Sequence, residues 1–113
     1  MHESSVAKEI FDIVNDVVME NTLVRVDKIV IELGEFSCIQ QQMLSFAFQM
    51  IAEGTIMEKA VLEYEIVKAT ARCENCGTIF DITFTDKVCP SCGTVSTHFL
   101  TGTEANVKEI EGD

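Results

Sequence analysis

The chain has 113 residues, and its 19 acidic and 8 basic side chains give a formal net charge of −11 at pH 7. This length fits one compact unit, or one small core with a metal-stabilised appendage. The charge argues against nucleic-acid binding, which needs a basic face to displace counterions, and it suits cations or a basic protein partner. We recognise neither a membrane span nor a signal peptide, so we expect a cytoplasmic protein that contacts no membrane.

The first part of the chain predicts two helices and two strands in alternation. Residues 4–20 carry apolar side chains at three- and four-residue steps, which is typical of an amphipathic helix. Residues 23–33 are rich in β-branched side chains with a period of two, and they predict a strand. A second helix is predicted from about residue 40 to 53, with Gly54 as its carboxyl-terminal cap, and a second strand at residues 61–71.

The second helix is predicted to pack on the sheet and to be the more buried of the two helices. A role in the core explains its apolar side chains better than a cofactor site does. We expect its buried side to be formed by Met43, Ala47, Met50 and Ile51, extended by Leu44 and Phe48. The cysteine before this helix, Cys38, lies beside Ile39 and is expected to be a small buried apolar residue.

Four of the five cysteines form two Cys-x2-Cys pairs that are separated by twelve residues, and each pair is followed by glycine. Thiolates at this spacing close around one tetrahedral ion, and Zn²⁺ fits their softness and geometry best. Two disulfides or four unconnected thiols are the alternatives, but a reducing cytosol favours metal ligands. The predicted ligands of a structural zinc ion are therefore Cys73, Cys76, Cys89 and Cys92.

The segment around the cysteines has too few apolar residues for a core of its own, so metal binding must supply its folding free energy. Short strands are predicted at residues 79–84 and 95–100, and a β-like segment at 106–111 is expected to rejoin the first sheet. The predicted fold class is α/β (α+β): two helices pack on a small sheet of about three strands, with an inserted zinc-ribbon-like domain. The predicted domains are residues 1–70 plus 103–113, which form the α/β domain, and residues 71–102, which bind zinc.

The amino terminus reads Met1-His2-Glu3. The imidazole of His2, its own amide nitrogen and the α-amine of Met1 can converge on one ion, and nitrogen donors in a plane favour Ni(II) or Cu(II). Glu3 adds an anion and another amide. Many chains begin with a histidine by chance, so these residues alone are better explained as a solvated terminus.

Taken together, the two ends of the chain resemble the HypA/HybF family, the nickel-insertion accessory proteins of [NiFe]-hydrogenase maturation. The similar segments run in order through nearly the whole chain: Met1-His2-Glu3-Ser4-Ser5-Val6-Ala7, Ile31-Glu32-Leu33-Gly34-Glu35, Phe46-Ala47-Phe48, Leu62-Glu63-Tyr64, the two cysteine pairs and Gly102-Thr103-Glu104. The resemblance implies that His2 binds nickel with the backbone nitrogens of Met1, His2 and Glu3. It also implies that the four cysteines hold a structural zinc ion.

The resemblance further implies weak, transferable nickel binding, delivery of Ni²⁺ to the hydrogenase large subunit precursor, and partnership with the GTPase HypB. Two positions depart from the family pattern. Ala105 replaces a large aliphatic residue of the last strand, and Gln40 stands where some relatives have an acidic residue that can approach the nickel. The sequence leaves open whether Gln40 is a ligand, whether the chain forms a homodimer, and which hydrogenase or urease it serves.

Two other functions fit parts of the sequence. The cysteine pairs also look like the iron site of rubredoxin, although most of the chain would then have no purpose, and an iron protein would be red. A zinc-ribbon adaptor with an inert amino terminus is the other alternative, and a nickel titration separates it from a metallochaperone. We expect no enzyme, because His2 and His98 form no nucleophile–base set and a four-thiolate site has no open position for water. His98 itself is interpreted as structural.

Overall fold

The protein was analysed as a computed structural model that describes residues 2–96 and 98–113. The described residues form two helices and six strands: α1 (Glu3–Glu20), β1 (Val26–Gly34), α2 (Gln41–Ala52), β2 (Val61–Val67), β3 (Thr70–Arg72), β4 (Ile79–Asp81), β5 (Phe99–Thr101) and β6 (Ala105–Gly112). Neither of these helices is long and apolar enough to cross a membrane. The strands form two three-stranded sheets, and we call residues 69–101, which contain the second sheet, the cysteine module.

The first sheet has β1 in its centre, with β2 parallel to it on one side and β6 antiparallel on the other. Alternation along β1 buries Ile29, Ile31 and Leu33 in the main core. On β6, Ile110 lies opposite Ile29 and Val107 lies opposite Ile31. The carboxyl-terminal segment therefore returns to the first sheet, and the predicted fold class, a small α+β fold with two helices and a cysteine-rich insert, is confirmed.

Both helices contribute to the core beside this sheet. Each buries side chains at four-residue steps, which places them on one side of a helix. The buried residues of α1 are Val6, Ala7, Ile10, Val14 and Val18, and those of α2 are Leu44, Phe48 and Ala52. The rings of Phe11 and Phe48, whose centroids are 6.3 Å apart, join the two helices.

The predicted buried side of α2 is wrong for Met43 and Met50, whereas Leu44 and Phe48 are buried and Ala47 and Ile51 are partly buried against the core. Met43 and Met50 are 50% and 63% exposed, and Phe46 between them is 61% exposed. Because α2 carries apolar residues on two sides, helical spacing alone could not show which side faces the core. The helix is also not the more buried of the two, since it buries three of its 12 residues whereas α1 buries five of its 18.

The second sheet has the order β4-β3-β5, with antiparallel pairs on both sides of β3. The single strand predicted at residues 61–71 is therefore wrong, because β2 and β3 belong to different sheets and are separated by Lys68 and Ala69. The small core of the cysteine module is formed by Ala69, Ala71, Cys73, Phe80, Ile82 and Cys89.

The other strands of the cysteine module are shorter than predicted. The segment predicted at residues 79–84 ends at Asp81. In the segment predicted at 95–100, Val95 forms an isolated bridge with Val88, and β5 occupies the end of the segment. Thr97 in this segment lies outside the described residues.

A turn after β1 joins the two sheets. The N–H of Gly34 donates to the carbonyl of Glu104 at 2.8 Å, and the N–H of Phe36 donates to the carbonyl of Gly102 at 2.7 Å. A Cβ atom on Gly34 would overlap the carbonyl group of Gly102. Glycine is therefore required at position 34 by the close approach of two backbone segments.

Two side chains of the same turn contact the cysteine module. A carboxylate oxygen of Glu35 accepts the N–H of Ala69 at 2.9 Å. The ring of Phe36 stacks on Phe84 with a centroid separation of 4.2 Å and meets the edge of Phe99 at 6.0 Å. The turn thus sets how the cysteine module lies against the rest of the chain.

Candidate metal centre

The two cysteine pairs form loops with the same backbone hydrogen bonds. In the first loop, the N–H of Cys73 donates to the carbonyl of Thr78 and the N–H of Gly77 donates to the carbonyl of Cys73, both at 2.8 Å. The equivalent two bonds of the loop at residues 89–94 are both 2.9 Å. The glycine of each loop has a positive φ, +77° and +76°, which a residue with a Cβ rarely adopts. The two loops therefore present their thiols in equivalent positions.

The four thiols converge on one point. All four Sγ atoms of Cys73, Cys76, Cys89 and Cys92 lie within 4.8 Å of one another. The separations between the loops are 3.4 Å for Cys73–Cys92 and 3.6 Å for Cys76–Cys89. A tetrahedral ion with zinc–sulfur bonds of about 2.3 Å has sulfur–sulfur edges of about 3.8 Å. The arrangement fits one tetrahedral ion, and four soft donors of this type suit Zn²⁺.

Burial divides the four thiols into two kinds. Cys73 and Cys89 are buried, whereas Cys76 and Cys92 are exposed. The backbone N–H groups of Cys76 and Asn75 lower the pKa of the Cys73 thiol, but burial and the neighbouring thiols outweigh them and raise this pKa to about 11. A divalent ion would favour the thiolate in such a place, because a coordinating thiol is deprotonated.

Two threonines assist the exposed thiols. The Sγ of Cys76 lies 3.1 Å from the Oγ1 of Thr78, and the Sγ of Cys92 lies 3.3 Å from the Oγ1 of Thr94. The hydrogen bond with the Thr94 hydroxyl, together with its backbone N–H, lowers the pKa of Cys92 to about 6. Thr78 lowers the pKa of Cys76 in the same way. The sequence prediction did not include these threonines, although Cys-x2-Cys-Gly-Thr occurs twice.

The backbone and the side chain of His98 have different surroundings. Its carbonyl accepts the N–H of Arg72 at 3.1 Å, and its N–H donates to the Oγ of Ser96 at 3.3 Å. The imidazole is exposed and borders a cleft beside the first cysteine loop, together with Arg72 and Glu74. The backbone contacts support a structural role for this residue.

At the amino terminus, His2 is the exposed residue that precedes α1, and its extended backbone has φ −97° and ψ 146°. The first hydrogen bond of the helical ladder runs from the N–H of Val6 to the carbonyl of His2, at 3.1 Å. The amides of His2 and Glu3 come before this ladder, as the first N–H groups of any helix do. Met1, whose nitrogen belongs to the predicted nickel site, lies outside the described residues.

The loop before α2 contains Gln40, which the sequence left open as a nickel ligand, and Cys38, which was predicted to be buried. Gln40 is exposed and immediately precedes α2, and its carbonyl accepts the N–H of Leu44 at 3.0 Å. Cys38 is exposed and has φ +62°, so the prediction that it is buried is wrong. The backbone at Cys38 is left-handed, and the next residue, Ile39, lies in the core in its place.

The sequence matches a known family over almost its whole length. The profile described as "Hydrogenase/urease nickel incorporation, metallochaperone, hypA" matches residues 1–112. The protein "Hydrogenase maturation factor HypA" of Aquifex aeolicus is 32% identical over 111 residues, covering 98% of this chain and 96% of the relative. The protein of the same name from Methanococcus aeolicus is 35% identical over 122 residues, covering 100% and 99%.

The fold matches solved structures of the same kind. The "Solution structure of the Ni metallochaperone HypA from Helicobacter pylori" superimposes with a TM-score of 0.75 at 22% identity, covering 99% of this chain and 97% of that one. With sequence identity so low, this likeness concerns the fold alone. The matched profile and the curated relatives show that the chain belongs to the HypA family of nickel-incorporation metallochaperones.

Proposed function

We propose that the protein binds Ni²⁺ at its amino terminus and delivers it to the large subunit precursor during [NiFe]-hydrogenase maturation. Membership of the HypA family carries this proposal. The nickel ligands are the imidazole of His2 and backbone nitrogens of Met1, His2 and Glu3. The nickel-binding domain is residues 1–70 plus 103–113, and the zinc domain is residues 71–102.

The start of α1 supports nitrogen coordination by the backbone. An amide must lose its proton to bind a metal ion, so an amide that holds the helix together would be a costly ligand. The amides of His2 and Glu3 precede the ladder bond from Val6 to His2, so their deprotonation breaks no helical hydrogen bond. The helix amino terminus carries a partial positive charge, and the carboxylate of Glu3 in the first turn offsets it.

Zn²⁺ is the proposed ion of the four-cysteine site, where its role is structural. Four thiolates complete a tetrahedron and leave no position for water or substrate. The ion would hold the two cysteine loops together in a module whose own core is small. This closed site supports a binding and delivery role and offers no catalytic group.

The proposed partners are the GTPase HypB and the hydrogenase large subunit precursor, in the cytoplasm. The charge of −11 would attract basic surfaces of such partners and speed association. The same charge argues against nucleic acid as a partner.

The proposal is tested by exchanging each of the two histidines in turn. In the untagged, zinc-loaded chain, His2→Ala should abolish nickel binding in a calorimetric titration and abolish hydrogenase maturation in cells that lack the native protein. The matched control is His98→Ala, since His98 is the other histidine and is also exposed. Nickel binding that survives His2→Ala would overturn the proposal, as would loss of nickel binding in His98→Ala alone.

A further inference from the structure

The exposed and the buried thiols of the metal centre differ in how well the protein covers them. Cys73 and Cys89 are each 1% exposed, so neighbouring protein atoms enclose their side chains. Cys76 and Cys92 are exposed, and solutes can reach them. A thiolate that holds one metal ion keeps further lone pairs, and an exposed thiolate can offer these to a second ion or to an electrophile. The exposed pair is therefore the reactive side of the site.

A threonine lies two residues after each exposed cysteine and places its hydroxyl at that sulfur. The Oγ1 of Thr78 is 3.1 Å from the Sγ of Cys76, and the Oγ1 of Thr94 is 3.3 Å from the Sγ of Cys92. A thiol that coordinates a metal ion has lost its proton, so the hydroxyl is the donor in both contacts. Hydrogen bonds to a charged acceptor are stronger than those between neutral groups.

The backbone fixes both threonines in this position. The carbonyl of Thr78 accepts the N–H of Cys73 at 2.8 Å, and the carbonyl of Thr94 accepts the N–H of Cys89 at 2.9 Å. Backbone groups alone close each loop, so loop closure does not require a hydroxyl at either position. The repetition of the hydroxyl–sulfur contact in both loops argues against a chance contact of one side chain.

We infer that the hydroxyls of Thr78 and Thr94 cap the exposed thiolates and thereby keep further metal ions, including the Ni²⁺ cargo, from binding at the cysteine site. The inference rests on the proposed zinc and nickel sites. Sulfur and nitrogen donors bind Ni²⁺ more tightly than they bind Mn²⁺, Fe²⁺ or Co²⁺, so uncapped thiolates would compete with the amino terminus for the cargo. A hydrogen bond to a sulfur lone pair makes that lone pair a poorer donor to a second ion.

The first test is a nickel titration of the zinc-loaded His2→Ala chain, from which the proposed terminal site has been removed. Nickel bound to sulfur is detected by its charge-transfer absorption in the near ultraviolet. We expect no such band in this chain. The band should appear when Thr78→Val and Thr94→Val are added, because valine has nearly the shape of threonine but lacks the hydroxyl.

Alkylation by iodoacetamide measures the same protection without nickel, so failure of the proposed nickel site would leave this test unaffected. The reagent forms a carbon–sulfur bond and releases iodide, and mass spectrometry of peptides gives the rate at each cysteine. The exposed Cys38, outside the cluster, is the internal reference. In the zinc-loaded chain, Thr78→Val should raise the relative rate at Cys76 about tenfold, and Thr94→Val should do the same at Cys92.

Two controls separate the hydroxyls from other effects of substitution. The double variant Thr78→Ser/Thr94→Ser retains both hydroxyls and should match the wild type. Thr85→Val alters an exposed threonine of the cysteine module outside both loops and should change neither measurement.

The inference would be overturned by valine variants that show wild-type alkylation rates and no sulfur–nickel band. Serine variants as reactive as the valine variants would also overturn it. Metal analysis shows whether the double valine variant retains zinc, and if it does not, each single variant gives the same comparison at one sulfur. A wild-type chain without zinc would instead overturn the proposed zinc site on which the inference rests.

Discussion

The α/β region and the cysteine module are stabilised in different ways. The main core contains fifteen buried apolar residues, most of them from the two helices and the first sheet. The core of the cysteine module contains six, and two of these, Cys73 and Cys89, are also candidate metal ligands. Apolar burial can hold the first region together, whereas we expect the second to depend on a metal ion for most of its folding free energy. We therefore predict that the chain combines a self-sufficient unit with a metal-dependent one.

Loss of the metal ion should cause the largest loss of stability, and this loss should be confined to the cysteine module. Structural zinc sites contribute on the order of 10 kcal/mol, so Cys76→Ser should release the ion and unfold the cysteine module while α1 and α2 persist. Hydrogen exchange resolved by residue, together with metal analysis, measures both effects. The control is Cys38→Ser, which alters the exposed cysteine outside the cluster. Retention of one ion per chain in Cys76→Ser would refute the claim that the cysteine module depends on an ion held by all four cysteines.

A cavity in the main core should destabilise the α/β region and leave the metal site of the cysteine module intact. Phe48 is 1% exposed, and Phe48→Ala should lower the free energy of unfolding of the α/β region by about 3–5 kcal/mol. The four thiols and their ion should be unaffected in the folded protein. The matched change on the same helix is Phe46→Ala, which should cost less than about 0.5 kcal/mol because an exposed site leaves no cavity. Chemical denaturation followed by circular dichroism compares the two, and equal losses would contradict the assignment of the buried side.

Removing the hydroxyl of Tyr64 should lower the stability of the protein by a smaller amount, and this amount should depend on pH. Its hydroxyl oxygen lies 2.7 Å from the Oγ of Ser45 and donates to the carbonyl of Gln41 at 3.1 Å, joining β2 to α2. Tyr64→Phe should cost about 1 kcal/mol at neutral pH. Burial raises the pKa of Tyr64 above its ordinary value of 10.0, although the hydrogen bond with Ser45 opposes this.

The sign of the pH dependence follows from that shift. The contribution of the neutral phenol is fully present below the unfolded-state pKa of 10.0. It is lost as the pH rises through the higher folded-state pKa, because the unfolded state then binds fewer protons than the folded state. The stability difference between the wild type and Tyr64→Phe should therefore shrink above about pH 10. A difference that grows with pH would be contrary to this account.

The parts of the molecule that could be predicted from the sequence are those determined by residues close together in the chain. The helix at residues 4–20, the central strand and the cysteine cluster follow from spacing alone, and Gly54 has the positive φ of a helix cap, +78°. The break between β2 and β3 has no such local signal. It is set by the carboxylate of Glu35, which accepts the N–H of Ala69 from a distant turn. Sequence patterns do not report contacts of that range.

The other wrong predictions from the sequence concern positions where the local pattern allows either of two residues or sides to be buried. Helix α2 is apolar on two sides, so only packing against Phe11 and the sheet shows that Phe48 is inside and Phe46 outside. Cys38 and Ile39 are adjacent apolar residues, and the left-handed backbone at Cys38 decides which of them enters the core. The nickel ligands remain a prediction that rests on the first three residues and the family.

The most direct test of the central claim is a nickel titration of the untagged chain beside one that carries a short amino-terminal extension. The extension alters no side chain, but it converts the α-amine of Met1 into an amide. The account predicts that the untagged chain forms a planar, low-spin nickel site, whose binding strengthens as pH rises because coordinating amides lose protons. It predicts that the extended chain loses this site while zinc and fold are retained. Nickel bound as tightly, and in the same geometry, by the extended chain would contradict it.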